Sequence, residues 1–554
     1  MKRFLHPGHQ HHRGIALIAA MIFLAIFASL SVGFLSLSSA NTQMAANHKA
    51  GNNALNAALS GLDCALYVAQ KASTTNPLKT GYNYVSTTEA DTMWSKLCTQ
   101  LQTVKLGNVT VPSAIAFTDA GGTGMRIRTP AYIPCQSGGA FQISFSRYSS
   151  DPKAVIIQVT GADGGVTRAL KLNLSITKDA TVMNYALAGR GRMWITGDTT
   201  IHGSIYSSWD RASISPFNMT PDSSVEGTIN TVLSKDTVMA QSYQLETLDS
   251  DGNPMFDADG NRIYTSADEI QGDHQGINYG VPDQSNIPGL SIGDYNTSMY
   301  KNAIPATTVS ATGSLVANGK ISTSGITKVR EYFPHAAGNY SQPASSGSRT
   351  LDRYKYENKT FRNVVLNSNN NALFKNCTFE EVLYVDCSTS TSSYYNNVRF
   401  ENCTFNGVII TNTPSSLNWQ ANCLYFTGTA TFQNNSSIPE ATILAPHFNV
   451  NLGNTNPNTG DNNLLTGAIV GGIVDVRGNA QIYGTIISMA DTTNYTSGYV
   501  TNIGATLNDG GSETTEAGDI GTIEITPAAD NMLPSGITSP VILKPQANSY
   551  QECI

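Results

Sequence analysis

Charge is scarce in this chain: only 13 % of its 554 residues are charged, and the net charge is −7. Phosphate backbones are gripped by clustered Lys and Arg, and no such stripe occurs, which excludes nucleic acid as a partner. Signatures of chemistry are missing as well: no nucleophile elbow, phosphate loop, HExxH or dinucleotide fingerprint is present. The cysteines Cys64, Cys98, Cys135, Cys377, Cys387, Cys403, Cys423 and Cys553 form no CxxC, and no His pair lies nearby at zinc-finger spacing. A structural zinc site of that kind is therefore not expected. An even number of cysteines permits disulfides in an exported chain without choosing a pairing, and buried thiols are the other reading. Carboxylates are few across Tyr356–Met489, where Glu380, Glu381 and Asp386 form the nearest group. Adjacent strand residues point to opposite faces, so Glu380 and Glu381 make a poor acid/base pair, and no enzyme is expected.

In place of charge the chain uses Asn, Ser, Thr and Gly, interrupted at regular intervals by Val, Ile, Leu, Tyr and Phe. That composition suits β surfaces and exposed turns. A chain of this length should hold two or more domains. The expected fold class is mainly β with a long N-terminal α-helix: a stem and a small α+β domain, followed by a parallel, right-handed β-helix-like head.

Residues Met1 to Gly14 are polar and basic, with Lys2, Arg3 and Arg13 beside His6, His9, His11 and His12. Ile15–Leu37 then carries no charge, and as a helix rising about 1.5 Å per residue it spans a ~30 Å hydrocarbon layer. Positive charge ahead of it sets the N-terminus in the cytoplasm. Three readings compete. A signal peptide cut near Ser38-Ser39-Ala40 has a shorter apolar core than this one. A permanent single-span anchor is the second. The third uses the Arg13-Gly14 junction as a processing site, so that the apolar segment survives cleavage. Proline is absent from Ser38 to Lys71, and Leu55, Leu59, Leu62, Leu66 and Ala69 recur at helical spacing. The helix should therefore run on past the membrane until Asn76-Pro77 stops it.

The string His12-Arg13-Gly14-Ile15-Ala16-Leu17-Ile18, then Met44-Ala45-Ala46-Asn47 and Ala54–Ala58, resembles the N-terminus of PilX-type minor pilins. The likeness is confined to the helix. It implies a prepilin peptidase that cuts after Gly14 and methylates Ile15, and helix-to-helix packing with other pilins as partners. It also implies an inner-membrane precursor that becomes part of an extracellular filament. Major pilins carry Glu at the fifth mature position, where this chain has Ala19. That Glu is thought to pair with a neighbour's α-amino group, so its loss disfavours repeated lateral positions. The type II secretion tip pseudopilin GspK is similar in lacking this Glu and in carrying an oversized head.

The domains read as a leader at 1–14, a stem helix at 15–71 with its packing segment at 15–37, a small α+β domain at 72–182, and the head at 183–545. In the α+β domain, Thr88–Leu101 should be a helix, and Phe141–Phe145, Ala154–Val159 and Thr167–Ile176 should be strands, the last two joined by a turn at Gly161–Gly165. In the head, Ile195–Ser207 matches Val476–Ser488 position for position. Phe374-Lys-Asn-Cys377-Thr-Phe379 recurs as Phe400-Glu-Asn-Cys403-Thr-Phe405, with a looser copy at Tyr356–Phe361. Short strands with repeated corners resemble pectin-lyase-like β-helices, in which Cys377 and Cys403 come within bonding reach if they fall in register. Two stretches, about 209–349 and 491–519, read as loop-rich insertions.

Two ligand sites are candidates. Asp257, Asp259, Asn261 and Asp268 match calcium-loop spacing, although Arg262 replaces the usual Gly, and a β-hairpin with polar turns explains the same residues. Trp209, Tyr394, Tyr395 and Trp419 lie among polar residues and can stack on sugar rings; Trp194 does too, but it begins a repeat and suits a core. No other cofactor is expected. The expected function is a minor pilin or pseudopilin near a filament tip, with a head for adhesion to carbohydrate or another cell, or for assembly priming. A surface-anchored polysaccharide-degrading enzyme and a structural envelope protein with a simple anchor are the alternatives.

Overall fold

The structure, a computed structural model, describes residues 12–553 apart from 107, 137, 213–214, 240–242, 247–263, 268–269, 283–286, 333–349, 388–395, 415–421, 428–429, 436, 453–462, 477–478, 491–499, 505–521 and 529–531. The chain divides into two compact units. One comprises Met1–Leu78, Val85–Thr177 and Val541–Ile554; the other comprises Lys79–Tyr84 and Lys178–Pro540.

The first unit is built on α1, His12–Thr74, a helix of 63 residues. Asn76 adopts φ 47°, a left-handed conformation that asparagine tolerates and that ends helices. Lys96 donates to the carbonyls of Thr75 and Asn76 at 2.6 and 2.5 Å, placing a cation at the negative end of the helix. The buried stripe of α1 is Ala54, Ala57, Ala58, Gly61, Leu62, Ala65, Val68, Ala69 and Ala72. Leu62 and Ala69 of the expected spacing fall in it and Leu55 and Leu66 pack against it, while Leu59 is 40 % exposed. Small residues admit the sheet, and a Cβ on Gly161 would fall 1.9 Å from Ala54 O.

Against this stripe lies an antiparallel meander of Ile115–Asp119, Gly122–Arg128, Ala140–Tyr148, Ala154–Asp163 and Val166–Lys178. Each expected strand is present and longer than expected, while the first two strands carried no expectation. Gly164 and Gly165, at φ 53° and 87°, make the two-residue turn that matches right-handed strand twist. Helix α2, Thr87–Thr103, is opened by a capping box of Ser86 and Glu89 and buries Ala90, Met93, Trp94, Leu97 and Leu101. The chain's end returns here: Gln551–Cys553 pairs antiparallel with Ala169–Lys171, and Leu543 N–H donates to Ser73 Oγ at 3.0 Å.

The second unit is a parallel solenoid whose chain alternates between a 17-stranded and a 10-stranded sheet. In the repeats, Tyr356, Phe374, Phe400 and Phe426 stack at 5.1, 5.5 and 4.8 Å between centroids. Phe361, Phe379, Phe405 and Phe432 form a second stack at 5.3, 5.1 and 4.7 Å. The two stacks meet edge to face, the favoured geometry between ring quadrupoles. Between the strands of each coil, Asn358, Asn376 and Asn402 turn the corner at φ 55°, 51° and 52°. The Tyr/Phe-x-Asn-x-Thr-Phe motif is thus one corner, repeated.

The matching segments Ile195–Ser207 and Val476–Ser488 lie in two coils with one coil between them. That intermediate coil is composite. Val500–Ile503 pairs with both Ile473–Val476 and Arg192–Ile195. Ile523–Thr526 pairs with Ala480–Tyr483 and with Thr199–Ile201. Tyr185–Gly189 pairs with Ile486–Ser488 and Ser204–Ser207. Strands from the start and the end of the solenoid therefore share one level of the stack. The stretch 209–349, read as loop-rich, also supplies coil strands at Phe217–Met219, Ser224–Thr231, Asp273–Asn278 and Leu315–Ile321. Its prolines fall outside those strands; Pro216 immediately precedes one and Pro221 follows it.

Candidate functional site

Two features stand out, an exposed helix in the first unit and a buried polar ladder in the second. In α1 every residue from Ala16 to Lys49 is exposed, including Leu17, Phe27 and Leu35 at 65, 66 and 70 %. It is long and apolar enough to cross a membrane by length and composition. Its internal hydroxyls turn back on the helix: Ser29 Oγ donates to Ile26 O at 2.8 Å and Ser31 Oγ to Phe27 O at 2.7 Å. An apolar medium could therefore surround this segment without stranding those donors. Gly14 and Ile15 lie within the helix. Ala19 is exposed on its first turns, so no carboxylate stands there.

In the second unit the 10-stranded sheet turns Val398, Phe400, Leu424, Phe426, Val450 and Val474 into the core. Strand alternation sends the intervening residues to its other side. There Arg399, Tyr425, Asn451, Asp475, Asn502 and Trp194 fall in register across six strands. Trp194 Nε1 and Asn502 Oδ1 are buried and meet no hydrogen-bond partner among the described residues. Sequence reading missed this ladder because its members belong to unrelated segments. Only the Trp194 repeat gave a signal.

The expected sites fare differently. Trp209 is fully buried against Leu233 and Val238, which leaves no ring face for a sugar. Tyr394, Tyr395 and Trp419 lie outside the described residues, as do Asp257, Asp259, Asn261 and Asp268. Tyr264–Ala267, which lies inside the calcium-like segment Asp257–Asp268, is a strand paired antiparallel with Tyr243–Glu246. Among the described residues no group of three or more His, Cys, Asp or Glu side chains gathers as a metal site.

The carboxylates of the coil region are engaged separately. Glu380 accepts from Arg362, Glu381 from Asn363, and Asp386 from Lys301 at 2.5 Å and from Asn412 at 3.2 Å. The structure holds the eight cysteines in the reduced form. Burial pushes the pKa of Cys98 up to about 11, and those of Cys387 and Cys423 up to about 12, so none of these three is a ready nucleophile. Burial also lowers Lys178 to about 8, with its Nζ donating to Ile537 O at 2.5 Å and Pro534 O at 3.2 Å.

No family model and no curated protein matches the chain. Among solved structures it is similar to the competence-associated pilin ComZ from Thermus thermophilus, at 11 % identity and a TM-score of 0.23, covering 80 % of this chain and 87 % of that one. That score lies below the level of a shared fold.

Proposed function

We propose that this chain is a minor pilin or pseudopilin of the PilX or GspK kind, held by α1 first in the inner membrane and then among the helices of a surface filament. One observation carries the proposal: α1 is a single helix whose first half is apolar and wholly exposed, while its second half packs against a β-meander. A simple membrane anchor has no need of that continuity. Prepilin peptidase is the partner that would release the chain between Gly14 and Ile15. Ala19 leaves the subunit unable to neutralise a neighbour's amine, and the second unit alone spans Lys178–Pro540, a bulk hard to repeat at each lateral position. Both features favour a place at the filament end.

The role is adhesion or assembly priming and not catalysis, a reading supported by the separate engagement of Glu380, Glu381 and Asp386. Immunogold labelling of intact filaments tests the placement: gold at the ends, in one or very few copies, is the expected result. Regular labelling along the shaft would contradict it. Ala19→Glu should move some labelling inward, and no change would leave bulk alone as the determinant.

A further inference from the structure

Four cysteines lie in the solenoid, and two of them occupy equivalent places in consecutive coils. Lys375 is paired with Glu401 on one side of the corner, and Thr378 with Thr404 on the other. The corner itself is stitched by Asn376 N–H to Glu401 O and Thr404 N–H to Cys377 O, both 2.9 Å. Cys377 is therefore stacked on Cys403, about 4.8 Å apart at Cα by strand spacing, inside the ~4.4–6.8 Å range of disulfides. Both side chains are 1 % exposed and point into the core. A hydrogen bond from the Cys403 thiol holds Cys377 below the ordinary thiol range, and the same contact, with burial, raises Cys403.

The other two cysteines of the unit lack such a neighbour. Cys423 is paired in register with Asn397 and Asn449. Cys387 Sγ bonds Asn412 Oδ1 at 2.7 Å.

We infer that Cys377 and Cys403 form a disulfide that bolts two coils of the exported protein together. Each thiol gives up its proton, one S–S bond forms, and the electron pair reduces a disulfide-bearing oxidant of the exporting compartment to its dithiol. Because the pair is sealed in the core, oxidation has to occur while the solenoid is still assembling.

The test is peptide mapping of full-length protein from the cell envelope, unfolded without reductant and alkylated. A Cys377–Cys403 cross-linked peptide two hydrogens lighter than the sum of its parts is expected, with Cys387 and Cys423 fully alkylated. In Cys377→Ala protein, Cys403 should become alkylatable under the same conditions, whether or not that variant folds well. Complete alkylation of all four solenoid thiols in the exported wild type would overturn the inference. So would a bridge from either residue to Cys387 or Cys423.

Discussion

The two units solve the same problem of burying a β surface in opposite ways. The first uses antiparallel neighbours in sequence, so each hairpin specifies its own register and the core is completed by the helices α1 and α2. The second is built mainly of parallel coils, so most of its strands find their partners one coil away and register is kept by like stacking on like: Phe on Phe, Asn on Asn. Local order in one and repetition in the other produce different failures. Damage to the meander should stay with its helix contact, whereas damage to a coil should reach the coils on either side.

Phe400→Ala breaks the comparison hardest. Phe400 is stacked on both sides, by Phe374 and Phe426, and its loss should cost about 3–5 kcal/mol in the unfolding of the second unit. Denaturant melts with hydrogen exchange should show protection falling in the flanking coils Ala372–Val385 and Cys423–Thr427. If only the mutated coil loses protection, stacking does not couple the coils.

Gly161→Ala should come next, at about 2–3 kcal/mol, because the new methyl meets the backbone of α1 and not a movable side chain. Its effect should be confined to the first unit, and Gly165→Ala, whose Cβ meets nothing within 4 Å, isolates the strain of positive φ from the clash.

The buried Lys178 of the second unit gives an effect of similar or smaller size that depends on pH. With Lys178 near 8 when folded and 10.5 when unfolded, the unfolded chain holds more protons between those values. Stability should therefore rise with pH across about 8 to 10.5, and Lys178→Met should remove that slope in urea melts buffered across the window.

The smallest change should be a gain. Glu381 sits at φ 60°, in register with Gly407 and just beyond the bulge at Asn363. Glu381→Asn, which tolerates that conformation better, should stabilise by about 0.5–1 kcal/mol in thermal melts.

Much of the architecture was legible in sequence because its signals are local. The uncharged run after Arg13, the missing prolines and the Phe-x-Asn-Cys-Thr-Phe repeat each dictate geometry within a few residues. The leucine spacing of α1 announced the helix, but the close approach of the sheet depends on the small volume of Ala54, Ala58 and Gly61, which spacing alone does not show. The composite coil was illegible for a different reason: nothing in Tyr185–Gly189 announces pairing with Ile486–Ser488, since parallel stacking over such a separation is set by topology. The ladder from Arg399 to Trp194 was hidden likewise. Trp209 misled because its sequence neighbours are polar while its spatial neighbours are Leu233 and Val238.

The central claim is that α1 is a processed filament helix and not a fixed anchor. Mass spectrometry of the native protein's N-terminus tests it most directly. A mature chain beginning at a methylated Ile15 is the predicted result; a chain that still begins at Met1, or one cut to begin at Asn41, would contradict the account.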